Sequence, residues 1–185
     1  MNIALANVEN AQRQVEVLHE MGQTLGVSSD LEEALRGCLR LLCDRMDMAL
    51  GTVSLVGGEG EDISIDVAYG LSRTEIERGR YKVGEGITGK VVESGKPVIV
   101  PRISSEPLFL DRTGARKRTR KSQTSFICVP VVVQKRANGT LSVDTPYRDD
   151  HLLQENVRFL AIVATMIGQS VAARKMARLE RSRLL

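Results

Sequence analysis

Tryptophan is absent and aromatic residues supply only 3% of the 185 positions, so any core must be built from aliphatic side chains. Cysteine is scarce and odd in number. Cys38, Cys43 and Cys128 show no C-x-x-C spacing, which disfavours a disulfide framework and a zinc site, and reduced thiols are expected. His19 and His151 are the only histidines, so a metal centre would have to assemble from scattered ligands, and none is expected. No run approaches the ~20 apolar residues that cross a bilayer. The start "MNIALANVENAQ" lacks the basic region of a signal peptide. A cytoplasmic chain with no membrane association is the expectation.

What is present is ordinary in bulk, with 42% apolar and 26% charged residues, a balance that suits one soluble domain. The charge is not evenly spread. Asp111 to Lys121 holds six Lys/Arg and one acid, which leaves 20 basic residues against 22 acidic in the rest of the chain. The net charge of +3 is therefore a local property that calls for a local explanation.

Small and apolar residues at Ala4, Val8, Ala11, Val15, Leu18, Gly22 and Leu25 form a heptad seam, predicting a first helix. Ser29 or Asp30 then caps a second, with a stripe through Leu31, Leu35, Cys38 and Leu42. "ALGTVSLV" and "DISIDVAYG" read as a strand hairpin, "LSRTEIERG" as a short helical connection, and "ITGKVVESG" as about two helical turns stopped by Gly95 and Pro97. "KPVIVPRI" is a further strand. Residues 104–123 show no sustained period. Two strands around Asn138-Gly139, taken as a hairpin turn, precede one long terminal helix. In the second strand Leu141 and Val143 share one face, while Thr140, Ser142 and Asp144 share the other. Hairpins in the middle and helices at both ends predict an α+β fold, an antiparallel sheet covered by helices.

"GEGITGKV", residues 84–91, satisfies G-x-G-x-x-G and most of a P-loop pattern. Its flanks argue against both. The lead-in "EIERGRYKV" is too charged for a buried parallel strand, and the following helix is too short for a crossover. Val91 also stands where the P-loop hydroxyl should be. The better reading is structural: Gly84 and Gly86 permit a tight turn, and Gly89 allows a close helix approach to the sheet.

"GEGITGKVVESGKPVIVP", "PLFLDRTGAR", "SFICVPVVV" and "GTLSVD", in this order, resemble the GAF domain of NifA-type transcriptional activators of nitrogen-fixation genes. The resemblance covers roughly residues 20–172. It implies a GAF-like central antiparallel β-sheet of five or six strands covered by N- and C-terminal helices, with a small-molecule pocket or partner surface on the other side. It further implies a helix over 1–26 that serves dimerisation, a sensory domain over 27–172, and in 173–185 the start of a signalling helix toward an AAA+ ATPase domain outside the chain. Contact with DNA and the sigma-N form of RNA polymerase would belong to domains outside it. In the family, 2-oxoglutarate, PII-type proteins or an antiactivator partner convey nitrogen and carbon status. The cyclic-nucleotide motif N-K-x-F-x-x-x-D-E is missing from this sequence.

These implications place a ligand, with 2-oxoglutarate favoured, between the sheet, the turn Gly86 to Lys90 and the loop 106–124. Arg112 and Arg116 are the candidates for its carboxylates, since guanidinium forks bind them bidentately. Phe109, Gly86, Thr88, Lys90 and Ser125 complete the expected site. The competing reading of the loop, above all of Lys117 to Lys121, is a solvated charge run; a third is attraction to nucleic acid or an acidic protein surface. Cys128 reads as a core residue, against a methionine sulfoxide reductase role that needs a low-pKa thiol and a resolving partner. No catalytic residue and no resident cofactor are assigned. Val8, Val15 and Leu18 with Met176 and Leu179 are the expected homodimer interface. The alternative is a protein-binding, dimerising module without a small-molecule ligand.

Overall fold

Asp30 accepts hydrogen bonds from the N–H groups of Glu32 and Glu33, which would otherwise lack partners at the start of a helix. The computed structural model describes residues 3–58, 60–118 and 123–183. Helix α1 (Ile3–Val27) leads into α2 (Leu31–Arg45), then β1 (Leu50–Val56) and β2 (Asp62–Tyr69). Next come α3 (Arg73–Arg78), β3 (Arg80–Lys82), α4 (Gly86–Ser94) and β4 (Val98–Val100). After 3₁₀ turns at Ile103–Ser105 and Ala115–Arg118, β5 (Thr124–Val133), β6 (Arg136–Pro146) and α5 (Asp150–Arg183) close the chain.

The six strands form one antiparallel sheet in the order β3-β2-β1-β6-β5-β4, within an α+β fold. Strand alternation gives each face its own partner. Val53, Ile127, Val129, Leu141 and Val143 pack against Val17 and Met21 of α1, Leu35 and Leu39 of α2, and Leu160, Val163 and Ile167 of α5. On the opposite face Phe126 and Cys128 pack with Ile87 and Val91 of α4, Val100 and Ile103. Residues Asp150–Ala177 of α5 are long and apolar enough by composition to cross a bilayer. Here the apolar arc of that helix is instead the lining of the larger core.

Asn138-Gly139 is not the hairpin turn that the dipeptide predicts. Val133 pairs with Arg136, so the turn is Gln134-Lys135, with φ of 50° and 66°. These left-handed values suit the two-residue hairpin geometry that matches strand twist. Gly139 lies inside β6, where a Cβ would stand 2.2 Å from the Ser54 carbonyl oxygen of β1. The glycine serves close strand approach, and the Asn138 amide donates to the Val133 carbonyl at 3.1 Å.

Candidate ligand site

Gly84 and Gly86 adopt φ of 83° and 60°, the left-handed region open to glycine, and turn the chain onto α4. At Gly89 a Cβ would fall 2.2 Å from the Lys82 carbonyl oxygen, so that helix seats directly on the β3 end. "GEGITGKV" is thus a turn and a docking surface. It holds α4 over β6 and β5.

Beneath α4 the sheet is polar and buried. Thr52 lies opposite Ser142 and Ser54 opposite Thr140, a pair of cross-strand hydroxyl ladders, with Asp144 one step along β6. Burying these groups is costly unless they have partners. Asp144, only 1% exposed, has a strong one in Arg116, which is 6% exposed. Arg116 Nη2 lies 2.7 Å from Asp144 Oδ1 and Nε 2.9 Å from Oδ2, a bidentate fork. Nη1 donates to Thr113 Oγ1 at 3.1 Å and lies 3.7 Å from Asp111 Oδ1. The guanidinium Cζ is 5.1 Å from the Phe109 ring centroid and 5.5 Å from that of Phe126, rings that meet edge to face. Burial by itself disfavours the charged guanidinium, but its bond to Asp144 and the nearby carboxylates outweigh this and hold it above its ordinary value.

Arg112 forms a more exposed ion pair with Glu85, the residue that precedes α4. The segment from Pro101 to Arg118 is therefore fastened over the sheet by one buried and one exposed arginine. Together with α4 it encloses a cavity of about 20 Å³, room for about one water, lined by Thr52, Ser54, Tyr81, Thr88, Thr113 and Arg116 among others. Burial pushes the Tyr81 phenol above its usual range, against the lowering influence of Arg116 and Arg112.

Arg116, Phe109 and Thr88 meet at this cavity, and Leu110 packs against Gly86 at its rim. Four expected residues do not line it, Gly86 among them, which shapes the turn at its rim. Lys90 is exposed on the outer face of α4, because the face of this short helix that meets the sheet is taken by Ile87, Thr88 and Val91. Ser125 is fully buried, donating to the Pro101 carbonyl at 2.7 Å, and fastens the covering segment rather than facing a ligand. Arg112 points to Glu85 at the edge. In the run Lys117 to Lys121, positions 119–121 lie outside the described residues, and Lys117 is exposed. Asp111, Glu85, Thr52, Ser54, Thr113 and Tyr81 are not among the residues expected from sequence, and Asp144 is expected only as part of the polar face of its strand. The alternation of Thr140, Ser142 and Asp144 is the signal for the polar sheet face and reaches only Asp144; the others lie on other elements.

On the terminal helices, Val8 and Val15 of α1 are 53% and 66% exposed, and Met176 and Leu179 of α5 are each 49% exposed. Leu18 is the exception: half-buried, it packs on the domain's own core. The α5 helix continues without a break past residue 172.

An antiparallel six-stranded sheet, helices on one face and a covered polar cavity on the other, defines a small α+β domain. The family model described as "GAF domain" matches residues 30–171, and the chain belongs to the GAF domain family. Curated relatives include Nitrogen fixation protein AnfA of Azotobacter vinelandii, 36% identical over 91% of this chain and 31% of its own length. Nitrogen fixation protein VnfA of the same organism is 39% identical over 84% of this chain and 30% of its length. The Nif-specific regulatory protein of Herbaspirillum seropedicae is 36% identical over 90% of this chain and 31% of its length. The chain thus spans about a third of the length of these relatives.

Among solved structures, the A. aeolicus nlh2 GAF domain in an inactive state superposes with a TM-score of 0.81 at 23% identity, covering 89% of this chain and 99% of that one. A free methionine-R-sulfoxide reductase from Neisseria meningitidis gives 0.73 at 18% identity, over 89% and 91%. These likenesses concern the fold. The reductase chemistry needs a reactive thiolate, whereas burial pushes Cys128 here up to about 12 and Cys38 up to about 11.

Proposed function

We propose that this domain is the sensory, regulatory part of a nitrogen-fixation transcriptional activator, without catalysis of its own and working in the cytoplasm. In this reading it binds a small anionic metabolite, 2-oxoglutarate first among the candidates, and thereby controls a downstream AAA+ ATPase domain. The observation that carries the reading is the buried Arg116 guanidinium on a hydroxyl-lined sheet face beneath a segment fastened by ion pairs. A fold spends such buried polar groups on recognition or on a switch more readily than on stability. Small-molecule sites run to about 300–1,000 Å³. The 20 Å³ cavity is a closed state, and a dicarboxylate enters only as residues 101–118 lift.

Calorimetry of the purified domain with millimolar 2-oxoglutarate tests this. Binding heat is expected, weakened about tenfold or more in Arg116→Lys, which keeps the charge but loses the bidentate fork. No heat in the wild type, or unchanged affinity in the variant, removes the metabolite from the proposal.

The small cavity favours a second reading, a protein-binding and dimerising module whose pocket stays shut. It expects capture of a PII-type or antiactivator protein with no metabolite added. Both readings include a homodimer. Helices α1 and α5 run alongside each other, with Asn10 against Glu155 and Arg174 on the Ser28 carbonyl. Helix α1 exposes Val8 and Val15 toward one end of the pair and α5 exposes Met176 and Leu179 at the other, apolar positions that a bundle with a second copy would cover. Light scattering at micromolar concentration should report two chains, and Val15→Glu with Met176→Glu should return one.

A further inference from the structure

The covering segment and the long helix α5 are far apart in sequence, yet one side chain touches both. Tyr147 stands between β6 and α5. Its ring centroid lies 4.8 Å from the Arg102 guanidinium, at the start of the covering segment. Its N–H donates to the carbonyl of Gln123, just before β5, at 2.9 Å. The phenol donates to Asp150 Oδ1, on the first residue of α5, at 3.4 Å. Arg102, Tyr147 and Asp150 also line a surface groove of about 370 Å³ with Ser105 and Glu106.

The other polar anchors of the α5 start lead elsewhere. Arg148 pairs with Asp47 after α2 at 2.6 Å, and Asp149 Oδ1 caps the helix by accepting from Leu152 N–H at 2.8 Å. Among the described residues, Tyr147 ties this helix start to the segment that closes the cavity.

We propose that Tyr147 is the positioning residue that couples the covering segment to the first turns of α5, so that displacing residues 101–118 loosens the beginning of that helix. The proposal rests on reading the cavity as a regulatory site, but its test uses no ligand. Its outcome is therefore separate from that of the calorimetry. Three exposed or half-exposed groups make the link, so the coupling is modest. An exposed cation–π contact corresponds to roughly a two- to fivefold change in an opening equilibrium.

Hydrogen exchange at the Leu153–Val157 amides, normalised to Val163–Ile167 deeper in the same helix, reads that opening. Phe109→Ala removes the ring that seats the covering segment on Phe126 and Arg116. It should speed exchange at 153–157 roughly two- to fivefold over the reference amides. In a Tyr147→Ala background that increment should vanish. Tyr147→Phe keeps the ring on Arg102 but drops the bond to Asp150, and should lose the increment while holding the wild-type melting midpoint. Should Phe109→Ala fold poorly, Arg102→Ala at an exposed site should give the same increment. An equal increment with and without Tyr147, or none in either Phe109→Ala or Arg102→Ala, overturns the proposal.

Discussion

Replacing Arg116 by Met should be among the most damaging single changes in the domain. It strips Asp144 of its bidentate partner while leaving the carboxylate 99% buried, with the Asp111 carboxylate also beside the vacated guanidinium position. Breaking a buried ion pair from one side costs about 3–5 kcal/mol, because the uncompensated charge stays in low dielectric. For a domain of this size each kcal/mol moves the melting midpoint by about 2–4 °C, so Arg116→Met should lower it by roughly 6–20 °C. Asp144→Leu should be milder by about 1 kcal/mol, since Arg116 keeps Thr113 and an attraction to Asp111. The double variant should recover most of the loss, as apolar replacements then fill a space walled by Phe109 and Phe126. Thermal and urea unfolding of the four proteins followed by circular dichroism provides the cycle. If Arg116→Met unfolds within 1 kcal/mol of wild type, or the double variant shows the sum of the single losses, the buried pair is not what fastens this segment.

Other expectations are simpler. Gly89→Ala must move a Cβ away from the Lys82 carbonyl oxygen, 2.2 Å from its ideal place, and should cost about 1–3 kcal/mol in urea unfolding; a neutral outcome would mean that α4 does not seat on β3. Burial raises the thiols of Cys38 to about 11 and of Cys43 and Cys128 to about 12, so the native protein should resist iodoacetamide at pH 8 while the unfolded chain labels. The same shifts fix a sign. The folded state holds these protons more tightly than the unfolded state, so their stabilising contribution is whole below about pH 9 and is lost as pH rises toward 12. The buried Tyr81 phenol acts in the same direction. Unfolding free energy that rises from pH 9 to pH 11 would contradict this.

The parts of the fold that were legible in the sequence are those set by local periodicity and capping. Asp30 before Leu31–Arg45, the apolar arc of Leu160, Val163 and Ile167, and the alternation of Leu141 and Val143 each act within one element, and the structure keeps them all. The turn at Asn138-Gly139 went wrong because a glycine that serves a turn and a glycine that admits a neighbouring strand look alike until β1 is placed against β6. The candidate site was half legible. Arg116, Phe109 and Thr88 come from its motifs, but the partner of Arg116 lies 28 residues away on another element, and its contact depends on the register of β5 with β6. Lys90 misled for a related reason: on a helix of nine residues, one step of phase separates the cavity face from solvent.

The charge balance of the site bears on what kind of signal it can carry. Arg112 and Arg116 face three carboxylates, Glu85, Asp111 and Asp144, so the closed cavity offers no surplus of positive charge to a second anion. A ligand carboxylate that takes the Arg116 fork must displace Asp144. If Asp144 then stayed buried, the desolvation cost of an unpaired carboxylate would outweigh the gain from the new bond. The exchange becomes favourable only if water reaches Asp144 at the same time, which requires that Pro101 to Arg118 leave the sheet. Anion binding and opening are then one equilibrium, and the ligand stabilises the open form by its difference in affinity between the two states. A neutral ligand would face no such coupling and could sit beneath an intact Arg116–Asp144 pair. Salt and pH dependence of metabolite affinity in Asp144→Asn, where the displaced group carries no charge, therefore separates the two cases: tighter binding of the dicarboxylate than in wild type follows from the exchange, and unchanged affinity excludes it.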